Sequence, residues 1–301
     1  MWERGATGVY SGPLLFLLYI NDLPRNIGQN NVVLFADDKT LTIFDTNVES
    51  LGQSANNIFN IANDWFITNG LKLNAQKTQL VHFSPKQIEN KIKINGTEEI
   101  AAVKEARFLG VTLDENLNWK CYIWSLVSKL SSASYALRVV SKVTNHEVLM
   151  SVYYGYIYPH LRYGVVFWGN SSNSLKIFKI QKTCIRIICK LAFRESCRNW
   201  FKELKIMTLP SLYIYEAVVL GRLGQGGGAN LTVHGYSLRN PLLQYPVHRL
   251  ALFERGPFYS GLRLYNRLPA HIQQEPRFKT FKILLKDHLI KQAYYSVKEY
   301  L

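Results

Sequence analysis

The chain lacks the features that mark a membrane span, a secreted scaffold or a zinc protein. Its longest early apolar run, Leu14 to Ile20, falls far short of the roughly 20 residues needed to cross a bilayer. No small-residue cleavage site follows that run, which argues against a secretory signal peptide. The four cysteines, Cys121, Cys184, Cys189 and Cys197, show no Cys-x-x-Cys pair and no nearby histidine set, so a zinc site is not expected. Reduced structural thiols in an intracellular protein, nuclear or cytoplasmic, are the expectation. The seven histidines form no His-Glu-x-x-His or finger pattern, and none is assigned a catalytic role. Acidic residues run short in one part only. Residues 121–301 hold 8 Asp+Glu against 25 Lys+Arg, a net +17, whereas residues 1–120 hold 13 against 11, a net −2.

With 301 residues, 48% of them hydrophobic, the chain can bury a sizeable core and is expected to form two or three units. A net +17 in one region attracts a phosphodiester backbone without reading sequence, with salt-sensitive affinity. Anionic lipid competes for the same charge in principle, but no membrane partner is assigned.

Phe35-Ala36-Asp37-Asp38 is the most informative stretch. The apolar run Val32 to Ala36 precedes the two carboxylates and Leu41 to Phe44 follows them, a strand, acidic turn and strand. Two carboxylates roughly 5 Å apart repel by about 3 kcal/mol at an effective dielectric of about 20, so a close pair is best explained by a cation between them. Magnesium suits such a site, being held by one or two carboxylates together with substrate phosphates. The alternative is a polar hairpin turn, which Asp favours for local reasons.

Leu51, Ala55, Ile58, Phe59, Ala62 and Trp65-Phe66 recur at helical period over Ser50 to Asn69, and Asn69-Gly70 supplies a stop able to take positive φ. Leu71 to Phe83 alternates as a strand, and Ile92 to Gly96 reads as an edge strand entering a turn. Beyond about Trp119 the pattern becomes helical. Ile177, Ile180, Cys184, Ile188 and Leu191 share one face of Lys176 to Phe193, with Lys179, Lys182, Arg186 and Lys190 on the other. The basic face is either a solvated surface or a nucleic-acid track. Gly224 to Gly228 reads as a flexible connection. Arg277 to Tyr294 repeats the design, with Phe278, Phe281, Leu285 and Leu289 inward and Lys279, Lys282 and Lys286 outward. That last segment either binds nucleic acid or packs on the helices before it.

Further segments accompany the acidic pair: Gly12 to Pro24 before it, Asn69 to Thr78 and Arg107 to Asp114 after it, then Tyr158 to Gly164 with Trp168, Ile180-Gln181-Lys182, Leu209 to Leu212, Arg263 to Pro269 and Tyr294 to Leu301. In that order and spacing they resemble the C-terminal part of the reverse transcriptase of a non-LTR retrotransposon, from the second half of the palm onward. The resemblance implies an α+β fold. Residues 1–120 would be a partial palm-like antiparallel sheet with helices, 121–223 a mainly helical thumb, 224–230 a linker and 231–301 a basic C-terminal segment.

The resemblance implies RNA-directed DNA polymerisation with an RNA template, a DNA primer and dNTPs, and a two-metal Mg2+ site of which Asp37 and Asp38 are ligands. Lys77 would meet the incoming phosphates or protonate the leaving group, the alternative being a solvated loop lysine. Phe108-Leu109-Gly110 aligns with the primer grip, its glycine permitting close backbone approach; the alternative is an ordinary strand end. Gly8, Gly12 and Pro13 stand where relatives carry a longer template and nucleotide loop, as its remnant. Relatives supply a further metal-binding Asp and the fingers from upstream, so this chain alone is expected to be weak or inactive, unless a partner protein supplies them. The alternative is a non-enzymatic, basic nucleic-acid-binding relic.

Overall fold

A computed structural model of the chain describes residues 8–28, 32–83, 91–94, 98–223, 245–248 and 251–301. The chain forms two compact units, Met1–Phe108 with Leu113–Leu117, and Leu109–Thr112 with Asn118–Leu301. The fold class is α+β.

In the first unit, α1 (Gly8–Ile20) and α2 (Leu23–Ile27) lead into the hairpin of β1 (Val32–Phe35) and β2 (Asp38–Leu41), followed by α3 (Val48–Thr68). The side chain of Asn47 caps α3 by accepting from the Glu49 N–H at 3.1 Å, satisfying one of the orphan donors of the first turn. Gly70, at φ +65°, follows its last turn. The helical period holds, for Ala55, Phe59, Ala62, Trp65 and Phe66 are buried. Ala62, Trp65 and Phe66 pack with Ile20, Leu23 and Ile27, while Ala55 and Phe59 pack with Ile100. The Tyr19 hydroxyl donates to the Asn69 carbonyl and ties α1 to the end of α3.

Three further findings correct expectations. Leu71 to Phe83 forms no strand; its one ladder contact is a parallel bridge from Leu80 to Ala102. The turn at Ala75–Lys77 interrupts it, with Asn74 accepting from Lys77 and Thr78, because Asn diverts the backbone into local hydrogen bonds. The β-structure of the described residues is three separate two-stranded ladders and no continuous sheet: β1 with β2, β3 (Lys91–Ile94) with β4 (Glu98–Ala101), and β5 (Glu105–Phe108) with β6 (Val111–Asp114). Finally, Gly8, Gly12 and Pro13 lie within α1 and form no loop. Pro13 lacks an N–H to bond back one turn, yet the run after it is long enough to stay helical to Ile20.

The second unit is helical: α4 (Lys120–Val140), α5 (His146–Val152), a π-helical turn at Tyr153–Ile157, α6 (Tyr158–Arg162), α7 (Val165–Trp168), α8 (Ser174–Ile188), α9 (Arg198–Glu203), α10 (Leu209–Leu223), α11 (Ala251–Glu254), α12 (Pro257–Tyr265), α13 (Ala270–Gln273), α14 (Phe278–Gln292) and α15 (Val297–Tyr300). Its core gathers Trp168, Tyr153, Tyr213 and Phe201 with Leu262, Phe281, Leu285 and Leu289. The C-terminal helices thus share the core of the helices before the glycine-rich stretch, which itself lies outside the described residues. α10 and α12 approach closely, for a Cβ at Gly261 would sit 2.4 Å from the Ala217 carbonyl oxygen. Glycines here let two helix backbones meet. Among the described residues no helix is long and apolar enough to cross a membrane.

Candidate functional site

β1 and β2 pair antiparallel with Phe35 opposite Asp38, leaving Ala36-Asp37 as a two-residue turn. Ala36 takes φ +52°, the left-handed geometry that lets such a turn follow the twist of its strands. The second strand therefore begins at Asp38 and ends at Leu41, so Thr42-Ile43-Phe44 lies beyond it. Asp37 sits in the turn and Asp38 opens the strand, and both are exposed. The side chain of neither forms a hydrogen bond or ion pair with other described residues.

Lys39 was not singled out by the sequence, although it adjoins the pair. Its Nζ lies 5.3 Å from the centroid of Phe16 and 5.8 Å from that of Phe66, so the ammonium is held on aromatic faces. Alternation along β2 sends consecutive side chains to opposite faces, which separates Lys39 from Asp38. A lysine directly after a strand-opening aspartate is the only signal that could have pointed to it.

The donor set fits magnesium as far as it goes, since two exposed carboxylates offer hard oxygens to a cation that takes one or two carboxylates and fills its other positions with phosphate or water. Among the described residues no group of three or more His, Cys, Asp and Glu side chains gathers. Lys77 ends the turn at Ala75–Lys77 with its side chain exposed, and no ion pair joins it to Asp37 or Asp38. Asp37, Asp38 and Lys77 are all exposed to solvent.

Phe108-Leu109-Gly110 does form a tight turn. Leu109 and Gly110 adopt φ +47° and φ +80°, both left-handed, as a two-residue hairpin of this kind demands. The Tyr163 hydroxyl donates to the Leu109 carbonyl, and a Cβ on Gly110 would stand 3.7 Å from that tyrosine ring. Tyr163 is held in turn by Trp168, whose Nε1 donates to the Tyr163 carbonyl at 3.0 Å. Tyr163 and Trp168 belong to the Tyr158 to Trp168 segment, to which no role was given from sequence.

The expected basic face of α8 is split. Lys179 is exposed, and Lys190 lies past the helix end at φ +54°. Lys182 rests 5.0 Å from the Phe178 ring and 5.5 Å from the Tyr295 ring. Arg186 donates through Nε and Nη2 to the Glu195 carbonyl at 3.1 and 3.0 Å. Two of the four cations therefore hold the fold together, because each found an acceptor or ring beside its helix. On α14, Phe281, Leu285 and Leu289 are buried as expected, Phe278 is half-buried, and Lys279 and Lys286 are exposed, while Lys282 lies 5.0 Å over the Phe278 ring.

Gln181, inside the Ile180-Gln181-Lys182 segment, is fully buried. Its Nε2 donates to the Tyr153 hydroxyl and the Met207 carbonyl, both at 3.0 Å, and its Oε1 accepts from the Leu209 N–H at 2.8 Å. A buried amide satisfied this fully is structural. The cysteines are all free thiols, and burial pushes those of Cys184 and Cys189 up to about 11, which makes both poor nucleophiles.

No curated protein and no solved structure matches the chain. Reverse transcriptases as a family generally use a divalent metal and bind an RNA template and a DNA primer. Residues 1–113, which carry the exposed carboxylates of the first hairpin, Lys77 and the Phe108–Gly110 turn, match the family model described as reverse transcriptase (RNA-dependent DNA polymerase).

Proposed function

We propose that the chain is the C-terminal part of a non-LTR retrotransposon reverse transcriptase, with residues 1–120 the second half of its palm, 121–223 its thumb and 231–301 its basic C-terminal segment. The observation that carries this reading is the solvent-facing pair Asp37 and Asp38, borne on a hairpin within the segment that matches the polymerase family. RNA-directed DNA polymerisation is the chemistry such a pair serves. Magnesium, when bound, activates the primer hydroxyl and offsets the charge of the leaving pyrophosphate. Asp37 and Asp38 would hold it. Lys77 would meet the nucleotide phosphates, and the Leu109-Gly110 turn, fixed by Tyr163, would bear on the primer end.

Two carboxylates hold a metal less firmly than three, so on this reading polymerisation by these residues alone is weak or absent unless another carboxylate joins the site. Extension of a primed RNA template with dNTPs and magnesium tests this, comparing the parent with Asp37→Ala. Extension abolished by the substitution supports the enzyme.

A second reading, a nucleic-acid-binding relic without chemistry, is favoured by one observation. From Asn116 through Arg194 the sequence holds 11 Lys+Arg and a single acidic residue, Glu147. Salt-sensitive binding without extension supports this reading.

A further inference from the structure

Exposed aromatic rings and basic side chains collect along the seam where α4 packs on α8. Trp124 and Tyr135 project from α4 and are 52% and 70% exposed. Large aromatics so exposed, on helices free of acidic residues, are an uncommon use of surface. The Lys176 Nζ of α8 stands 4.0 Å from the Trp124 centroid. At the other end, Tyr135 and Arg138 line a groove of about 460 Å³ with Ser131 and Thr183 as its polar walls.

Eleven positions separate the two rings on α4, about 16 Å at the rise of a helix. Trp124 has Lys176 over its ring, and Tyr135 shares its groove with Arg138, Ser131 and Thr183. From this geometry we infer that the α4–α8 groove is a binding track for single-stranded nucleic acid, in which bases stack on Trp124 and Tyr135 while Lys176 and Arg138 meet the backbone phosphates. The inference rests on the nucleic-acid reading of the chain but not on its catalytic part. Stacking on an aromatic face tolerates any base, and an unpaired strand is what exposes such faces, so the track selects single strands over duplex with little regard to sequence. Stacking and phosphate contacts do not depend on a sugar hydroxyl, so RNA and DNA single strands are both expected to bind.

Fluorescence anisotropy of the full chain with a labelled oligonucleotide of about 12 nucleotides, as single-stranded RNA, single-stranded DNA and blunt duplex, tests the track. Trp124→Ala with Tyr135→Ala should weaken binding to both single strands by about tenfold or more and binding to duplex by less than about twofold. Trp124→Phe with Tyr135→Phe should restore most of the loss. Phe193→Ala, which removes an 85% exposed ring elsewhere in the same unit, should change nothing. Circular dichroism of each variant checks that the fold is kept.

Equal weakening of single strand and duplex by the double alanine variant, or no weakening of either, overturns the track. So does a loss restricted to vesicles of anionic lipid, which would mark the groove as a membrane contact. Primer extension by the same variants separates the two proposals. Lost single-strand binding in a chain that never extends a primer leaves the groove standing and the polymerase reading fallen. Extension abolished by Asp37→Ala while the aromatic variants bind single strands normally does the reverse.

Discussion

The hydroxyl of Tyr163 donates to the carbonyl of Leu109, across 54 residues of sequence, and so fixes the Leu109-Gly110 turn proposed as a primer grip. Both turn residues have positive φ, a geometry that a two-residue hairpin needs but that leucine resists. The tyrosine bond is one compensation. Removing the hydroxyl in Tyr163→Phe should cost about 1 kcal/mol, the net worth of one hydrogen bond, read as a lower urea midpoint. If the grip reading holds, any extension activity should fall more than template binding does.

Leu109→Asn should act in the opposite direction. Asparagine tolerates the left-handed region, and Asn-Gly is the favoured pair for this turn. A gain of about 0.5–1 kcal/mol is expected from thermal or urea unfolding, relieving part of the roughly 1–2 kcal/mol that a side chain with a Cβ pays there. An unchanged or lower midpoint would show that the leucine side chain contributes more than its backbone costs.

Gly261→Ala should be the most damaging single methyl in the second unit. The added Cβ would lie 2.4 Å from the Ala217 carbonyl oxygen and 3.2 Å from the Gly221 Cα, so two helix backbones would have to part. Overpacking of this kind costs typically about 1–3 kcal/mol, and here backbone, not a flexible side chain, must yield. A melting temperature equal to the parent's would contradict the close crossing of α10 and α12.

Acid should loosen the C-terminal tail. Arg198 donates to both oxygens of Glu299, at 2.5 and 3.3 Å, and these hydrogen bonds hold the Glu299 carboxyl below the usual carboxylate range. A depressed carboxylate contributes stability that is present above its unfolded value and is lost as pH falls through its folded value. Stability should therefore drop from about pH 5 downward, and Glu299→Gln should flatten that part of the profile while lowering stability at neutral pH. Both groups are more than a third exposed, so the effect is small and shrinks with added salt.

The parts of the fold legible in sequence are those governed by local period and turn chemistry. The apolar positions of α3 follow the helical period, and those of α14 come out buried or half-buried as expected. The stop after α3 at Asn69-Gly70 follows from the conformations those residues allow. The carboxylate hairpin was legible for the same reason, though not its register, which makes Asp38 a strand residue. Where sequence patterning misled, a local hydrogen bond or a neighbour intervened. Asn74 folded Leu71 to Phe83 into turns, and Lys182 and Arg186 met partners on other segments. The segments that carried the family resemblance past residue 120 proved to be largely scaffold. Tyr163 braces a turn, Gln181 ties three backbone and side-chain partners, and the Tyr300 hydroxyl donates to the Leu264 carbonyl at 2.9 Å.

By itself the amino-acid sequence determined the main helices, the acidic pair and the confinement of net positive charge to residues 121–301, because these depend on which residues stand near one another along the chain. Which cations remain free for a ligand was decided only by tertiary structure. A lysine or arginine beside a helix spends its charge on whatever ring or carbonyl folding brings to it, as Lys182 does on Tyr295. The exposed rings of Trp124 and Tyr135 come to lie beside Lys176 and Thr183 only once α8 is laid against α4.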